Sequence, residues 1–377
     1  MDTPLLIALI ALAAAVVGIA LAATALVRAG ANRRAISDVD RRARAASRRA
    51  EDQARGSGEE TGPAALPHIA VVLNPSKHDD PERYREYVRT TIERFEGSQA
   101  TFYDTTEDDP GFGQATQAVA DGADLVIAAG GDGTVRMVAS ALAGTDTRMA
   151  ILPAGTGNLL ARNLEIPLED VEGAIKIATQ GRDKRIDVGW LRSGSTSHDI
   201  EVAERKIFLV MAGFGADAEV IGATNPTMKK RIGWMAYVVA GLNKVTGRSH
   251  DVQITLPGGA THTVKARTVL VGNVGKLPGG IVLMPDAEID NGRLEVLAMG
   301  WRGAAGLSQI AAQLVTPRHK PVQPKLSTME RYLVSTIDLL ASKAQPVQLD
   351  GDMSHSATRI VAEVDPGALV MRVPASR

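Results

Sequence analysis

Two short glycine-rich segments are the residues of this 377-residue chain best suited to bind phosphate. They are Gly130-Gly131-Asp132-Gly133-Thr134 and Pro153-Ala154-Gly155-Thr156-Gly157-Asn158. Glycine lets the main chain approach a phosphate closely, and backbone N–H groups at the start of a helix point at the anion while the helix dipole favours its charge. One glycine turn before a helix is common, but two such turns favour a nucleotide site.

Neither segment has the spacing of the commoner phosphate motifs, GxxxxGK[ST] and GxGxxG. Thr134 is predicted to cap a helix that begins at Val135, because a threonine side chain can accept a hydrogen bond from a free N–H group of the first helical turn. Asp132 is predicted to bind a magnesium ion, or a water molecule, near the phosphates. The chain has no cysteine, so a metal held by oxygen is expected rather than a zinc–thiolate or iron–sulfur site.

Alternating strands and helices are predicted to position both segments. Short apolar, β-branched runs predict strands at His68–Leu73, Ala123–Ala129 and Met149–Leu152, with helical patterns between them. This alternation is typical of a parallel, doubly wound sheet, whose ligands gather at the carboxyl ends of the strands. Both glycine segments directly follow such a strand.

Four segments, in order, resemble the diacylglycerol kinase catalytic family, which includes bacterial lipid kinases and the related sphingosine and ceramide kinases. They are Asn74-Pro75-Ser76, Gly130–Thr134, Pro153–Asn158 and Asp350-Gly351-Asp352. The resemblance covers the chain from about Leu66 to its carboxyl end. It implies an α/β nucleotide-binding domain followed by a β-sandwich domain, with the site in the cleft between them.

The resemblance also implies roles for individual residues. It implies that the nucleotide is bound by Asn74, Pro75 and Ser76 and by residues of the glycine segments, namely Gly130, Gly131, Asp132, Gly133, Thr134, Gly155, Thr156, Gly157 and Asn158. The catalytic residues are Asp132 and Asp352, with Asp352 as the general base. ATP and magnesium are the implied cofactors.

The chain departs from the family pattern at two positions. Leu159 follows Asn158 where many relatives have an aspartate, so this position supplies no carboxylate. Asp352 stands where relatives usually have a glutamate, which keeps the charge but shortens the side chain by one methylene. Asp350, two residues earlier, is interpreted as a turn residue or a second acid.

The second half of the chain is predicted to be mainly β-structure. From about Lys184, short β-like segments alternate with turn signals, which is typical of a sandwich. The predicted domains are residues 66–181 for the α/β domain and 182–355 for the β-sandwich lipid-substrate domain. The resemblance implies that the last strands, near residues 356–377, rejoin the first domain.

Acidic and amide side chains around a glycine turn form a candidate metal site. They are Asp286, Asp290 and Asn291, just before Gly292. Oxygen ligands of this kind suit a hard cation, and the resemblance implies a structural magnesium ion at this segment. A plain acidic β-turn is the alternative interpretation.

The amino-terminal residues 1–30 are predicted to form a transmembrane anchor. Residues 5–26 carry no charge, and about 20 such residues in a helix span a bilayer core. Many arginines follow in the charged juxtamembrane segment and linker at 31–65, so the positive-inside rule places the catalytic part in the cytoplasm. A cleaved signal peptide is the alternative, but its basic first segment is missing.

These features together predict a single-pass, cell-membrane, ATP-dependent lipid kinase that phosphorylates a lipid hydroxyl, with diacylglycerol giving phosphatidate as the first expectation. The alternatives are a kinase of another lipid alcohol such as sphingosine, a soluble-substrate kinase of the NAD kinase type, and a non-catalytic lipid- or nucleotide-binding regulator. A net charge of −1 gives no reason to expect nucleic-acid binding. The expected partners are a membrane lipid and the bilayer, and a homodimer is compatible with this interpretation.

Overall fold

The computed structural model describes residues 66–215, 249–277, 282–302, 306, 310 and 327–375. The predicted anchor at residues 1–30 and the charged segment at 31–65 lie outside this part. Within the described ranges, no helix is both long and apolar enough to cross a bilayer.

The first half of the described chain alternates strands with helices. Its elements are β1 (Ile69–Leu73), a short 3-10 helix (Pro75–Lys77), α1 (Pro81–Glu96), β2 (Ala100–Asp104), α2 (Phe112–Ala120), β3 (Leu125–Gly130), α3 (Asp132–Leu142), β4 (Arg148–Pro153), α4 (Leu159–Asn163) and α5 (Val171–Gln180). The strands pair in parallel in the order β2-β1-β3-β4. The predicted parallel α/β arrangement is therefore confirmed.

The central strands are apolar along their whole length. Every residue of β1 and of β3 is buried. The sequence of a parallel strand is a continuous apolar run when both faces of the sheet are covered, and β-branched residues suit such positions. The uninterrupted core leaves only the strand ends for polar chemistry.

Helix α1 shows how local residues set the limits of an element. The Asp80 side chain accepts a hydrogen bond from the Arg83 N–H, and Pro81 occupies the first turn. Gly97 ends the helix in the left-handed conformation at φ 69°. These local signals set the first and last residues of α1.

The second half is mainly antiparallel. Its elements are β5 (Arg182–Gly194), α6 (Ser197–Val202), β6 (Lys206–Phe208), β7 (Met211–Phe214), β8 (His250–Thr255), β9 (Thr261–Ala266), β10 (Thr268–Gly272), β11 (Leu294–Trp301), β12 (Ser327–Val334), β13 (Thr336–Leu349) and β14 (Asp352–Val373). A second apolar core lies wholly among these strands, while the core of the α/β part extends to residues of the second half such as Met211 and Leu297. The predicted β-sandwich region is confirmed.

Strand β14 connects the two halves. Near its start it pairs antiparallel with β13, and near its end Val370 and Met371 pair in parallel with Arg148 and Met149 of β4. It also pairs with β5 over much of its length. The domain limits predicted at 181 and 355 stay predictions.

Candidate active site

The two glycine segments lie side by side in the folded chain. Strands β3 and β4 are parallel neighbours that place Gly130 opposite Pro153, and the Ala154 N–H donates to the Gly130 carbonyl at 2.9 Å. A β-carbon added to Gly155 would lie 2.8 Å from the Gly131 Cα, closer than real β-carbons come. The loops therefore touch through their backbones, and Gly155 is required for that approach.

Asp132 links the first loop to the second. Its carboxylate accepts hydrogen bonds from the Asn158 N–H at 2.9 Å and from the Leu159 N–H at 2.7 Å. Asn158 is itself left-handed, at φ 48°, and its side chain bonds both the N–H and the carbonyl of Gly155. The first residue of α3 thus fixes the second loop and the start of α4.

The surroundings of Asp132 perturb its carboxyl group. Burial raises its pKa, while the N–H groups of Leu159 and Asn158 oppose the rise and the nearby charge of Asp352 adds to it. Each of its oxygens already accepts one backbone hydrogen bond, but a carboxylate oxygen has a second lone pair. The contact with Asn158 was not foreseen from the sequence, and the predicted magnesium or water ligation by Asp132 stays a prediction.

The predicted cap at Thr134 is wrong. Helix α3 begins at Asp132, three residues before the expected Val135, and its cap residue is Gly131, which makes no side-chain capping bond. Thr134 is buried in the first turn, where its hydroxyl oxygen lies 3.3 Å from the Asn74 amide nitrogen that donates to it. The glycines of the loop let the helix start earlier than the apolar pattern indicated.

Asn74 joins the turn after β1 to the same place. Its side-chain oxygen accepts from the Ser76 N–H at 3.1 Å and from the Ser76 hydroxyl at 2.7 Å, and Pro75 opens the 3-10 helix between them. Through Thr134, this turn lies against the first glycine loop. The structure therefore brings Asn74-Pro75-Ser76 together with the first loop, which itself touches the second.

Asp352 reaches the first loop from the β-sandwich. It is the first residue of β14, and its Oδ2 accepts a hydrogen bond from Nη2 of Arg136 at 2.7 Å. The same oxygen lies 3.5 Å from the position of a β-carbon added to Gly133. The predicted base is therefore at the amino-terminal turn of α3, next to the predicted phosphate loops.

Asp350 is a buried turn residue with contacts of its own. Its carboxylate accepts from the N–H groups of Leu209, Val210 and Met211 at 2.8 to 3.0 Å. Burial raises its pKa to about 6, against the opposing effect of those N–H groups and of Arg136. Of the two interpretations left open for Asp350, the geometry favours a turn residue that also holds the segment leading into β7.

The candidate metal residues lie elsewhere. Asp290 forms an ion pair with Lys184 at 2.9 Å, and Asn291 bonds the Asp286 carbonyl and the Arg293 N–H within its own turn. In the described ranges, no group of three or more His, Asp or Glu side chains is arranged to hold a metal ion. Magnesium at this turn stays a prediction.

Two residues of the site were missed from the sequence. Arg136 interrupts an otherwise apolar stretch of α3, one turn after Asp132. This charged residue in an apolar pattern was the feature of the sequence that could have identified it. Lys77 follows the Asn74–Ser76 turn, and its Cε lies 3.7 Å from the position of a β-carbon on Gly131. Both bring positive charge to the loops.

Comparison with known families assigns both halves of the chain. Residues 68–191 match the diacylglycerol kinase catalytic domain, and residues 210–373 match the YegS C-terminal NAD kinase beta sandwich-like domain. The two matches follow the order of the α/β and β-sandwich regions described above.

Curated relatives and solved structures agree with these matches. A probable YegS-like lipid kinase of Cronobacter sakazakii is 30% identical over 265 residues, covering 69% of this chain and 81% of the relative. The diacylglycerol kinase of Bacillus subtilis is 26% identical over 289 residues, covering 75% and 88%. The crystal structure of a putative diacylglycerol kinase from Bacillus anthracis has the same fold, with a TM-score of 0.65, 22% identity and coverage of 84% and 98%.

Proposed function

Because the chain belongs to the diacylglycerol kinase catalytic family, we propose that it transfers the γ-phosphoryl group of ATP to a lipid hydroxyl, with diacylglycerol giving phosphatidate as the first substrate. The observation that carries this proposal is the position of Asp352. Its carboxylate lies at the amino-terminal turn of α3, where the two glycine loops meet.

The backbone of the two loops binds the ATP phosphates. The N–H groups at Gly131–Gly133 and those of Thr156 and Gly157 lie at adjacent strand ends, while the Gly155 N–H is bonded to Asn158. Lys77 adds a cation beside Gly131. Phosphoryl transfer needs positioning and charge stabilisation more than covalent help from the protein. Magnesium bound with ATP supplies further positive charge at the phosphates, and Asp132 is the residue of these loops with oxygens suited to it or to its water.

Asp352 serves as the general base. As the lipid oxygen forms its bond to the γ-phosphorus, its proton passes to the Asp352 carboxylate, and the bond from that phosphorus to the β–γ bridging oxygen breaks to release ADP. Because Oδ2 bonds Arg136, we assign the lipid hydroxyl to Oδ1. The products are a phosphorylated lipid, ADP and a proton.

A membrane location fits this substrate. We retain the proposal that residues 1–30 anchor the chain in the cell membrane, with the catalytic part in the cytoplasm, because residues 5–26 are uncharged and arginines follow them. An anchor confines the site to the surface that holds an insoluble lipid alcohol, which raises their effective concentration.

The reaction is tested with full-length protein in mixed micelles and labelled ATP. Diacylglycerol, sphingosine, ceramide and NAD are offered in parallel, and products are separated by chromatography. We expect labelled phosphatidate. If the sole labelled product were sphingosine phosphate or NADP, the substrate would not be diacylglycerol. If no acceptor gave a labelled product, the kinase assignment would be contradicted.

The role of Asp352 is tested by two substitutions. Asp352→Asn keeps the size but loses the proton acceptor, so we expect initial velocity at saturating ATP to fall roughly 10² to 10⁴-fold. Asp352→Glu keeps a carboxylate and should retain much more activity than Asn. If Asp352 were only a turn residue, asparagine would be tolerated at least as well as glutamate, and an Asn variant within about threefold of wild type would remove the base from the mechanism.

A further inference from the structure

We propose that Arg136 is a positioning residue for phosphoryl transfer, holding the Asp352 carboxylate over the amino-terminal turn of α3 so that one oxygen faces the substrate hydroxyl. This inference rests on the proposed function, because it assigns Arg136 a task only if Asp352 is the base. It concerns one direct contact, the 2.7 Å hydrogen bond between Arg136 Nη2 and Asp352 Oδ2.

The two partners differ in how firmly the fold holds them. The side chain of Arg136 is 15% exposed within α3, whereas that of Asp352 is 61% exposed at the start of β14. An exposed aspartate left to itself samples several rotamers in water. Arg136 is therefore the fixed partner, and the ion pair selects the rotamer of Asp352.

The contact bridges the two halves of the molecule. Arg136 lies on α3, directly after the first glycine loop, and Asp352 opens the strand that follows the Asp350-Gly351 turn. The main chain of that turn is left-handed at both residues, at φ 50° and 92°. Because backbone geometry fixes the Asp352 Cα, the guanidinium determines where the carboxylate points.

The hydrogen bond from Arg136 matters because the side chain at position 352 is short. An aspartate side chain is one methylene shorter than a glutamate side chain. Its carboxylate therefore reaches fewer positions, and its orientation decides whether it meets the substrate hydroxyl. In the described part of the chain, Oδ2 bonds Arg136 while Oδ1 has no hydrogen-bond partner. An exposed ion pair contributes little to stability, so the expected benefit is orientation, which can matter about a hundredfold in rate.

Arg136 also balances charge at a site with several acids. Asp132, Asp350 and Asp352 converge on the start of α3, and Arg136 lowers the pKa of Asp350 while Asp352 raises that of Asp132. The Nε of Arg136 is buried and has no hydrogen-bond partner among the described residues. The guanidinium thus stands between acids instead of joining a wider salt-bridge network.

A double-mutant cycle tests whether Arg136 acts through Asp352. Arg136→Met and Arg136→Lys are made in the wild type and in the Asp352→Asn background, and kcat and the KM for ATP are measured with diacylglycerol. In the wild type, Met should lower kcat roughly 10- to 100-fold with little change in KM, and Lys should recover part of the loss. In the Asp352→Asn background, Met should change kcat by less than about threefold, since coupled residues are not additive.

Arg85→Met is the matched control. Arg85 is 16% exposed and bonds Asp104 at 2.7 Å through the same pair of atom types, but its partners Asp104 and Phe102 do not belong to the glycine loops. This variant should keep wild-type kcat. Thermal unfolding of all variants shows whether a lost activity reflects lost fold, and Lys at position 136 gives a milder replacement if Met does not fold.

The outcomes separate this inference from the proposed function. Equal losses from Arg136→Met in both backgrounds, a rise in KM with unchanged kcat, or wild-type activity would each overturn the positioning role. So would full activity of Asp352→Asn, because Arg136 would then have no base to hold. Failure of the wild type to phosphorylate any lipid would instead reject the proposed function.

Discussion

The buried carboxyl group of Asp350 should make stability depend on pH at the residue scale. Its pKa is about 6 in the folded protein, against an ordinary value of 3.8. Between these values the unfolded chain has released the proton and the folded chain has kept it. The free energy of unfolding should therefore fall as pH rises through this window, by about 1.4 kcal/mol per pH unit at most.

Asp350→Asn isolates this effect, because asparagine does not titrate. We expect the difference in melting temperature, wild type minus variant, to decrease from about pH 4 to about pH 6 and then to level off, following the two pKa values. Melting curves of both proteins across this range provide the measurement. Parallel pH profiles would show that Asp350 keeps its ordinary pKa in the folded state.

At the scale of elements, the contact between the two glycine loops should be sensitive to a single methyl group. In Gly155→Ala, the new carbon would lie 2.8 Å from the Gly131 Cα and 2.9 Å from the Asn158 side-chain oxygen, so the loops must move apart. Misplaced N–H groups bind phosphate less well. We expect the KM for ATP to rise about tenfold, which corresponds to about 1.4 kcal/mol of binding free energy.

Gly258→Ala is the control for this prediction. Gly258 has a φ of 90° and open space around its would-be β-carbon, so alanine there strains the backbone without touching the loops. It should lower thermal stability but leave the KM for ATP unchanged. Equal values of KM for the two alanine variants would mean that the loops do not need their close approach to bind the nucleotide.

The elements were predictable from the sequence where local pattern decides them. The apolar runs of β1 and β3 mark strands because both faces are buried, and glycine after β3 and β4 marks the loops. The hydrogen bonds from Asn158 and Leu159 to Asp132 were not predictable, since they depend on two loops meeting through neighbouring strands. The wrong cap prediction at Thr134 has a different cause, because the glycines of the loop let the helix start at Asp132.

The sequence predicted which residues belong to the site better than it predicted which of them contact one another. Motif resemblance identified Asp352 and the glycine loops, but no local pattern pairs Arg136 with a residue from the end of the chain. That pairing requires the path of β14, which returns to the α/β sheet. Long-range contacts of this kind depend on tertiary structure, and spacing along the sequence does not encode them.

For the whole molecule, the predicted anchor can be tested by deleting residues 1–30. Leu66–Arg377 form a compact unit of their own, so we expect the shortened protein to phosphorylate detergent-dispersed diacylglycerol at a rate near that of the full chain. Without the uncharged segment at residues 5–26, it should leave the membrane fraction.

Fractionation after a high-salt wash, together with activity in each fraction, is the measurement. A shortened chain that stays in the pellet would show that another part of the protein binds the membrane. Loss of activity in detergent, with unchanged melting temperature, would instead give the amino-terminal segment a part in catalysis beyond anchoring.

The course of β14 imposes an order on biosynthesis. The ribosome makes this strand after every other strand described, yet β4 and β5 both pair with it, and its first residue is Asp352. A nascent chain therefore contains both glycine loops before it contains the base. On the proposed mechanism, phosphoryl transfer begins only when translation has delivered this strand, so an incomplete chain held in the membrane by the proposed anchor would not phosphorylate lipid.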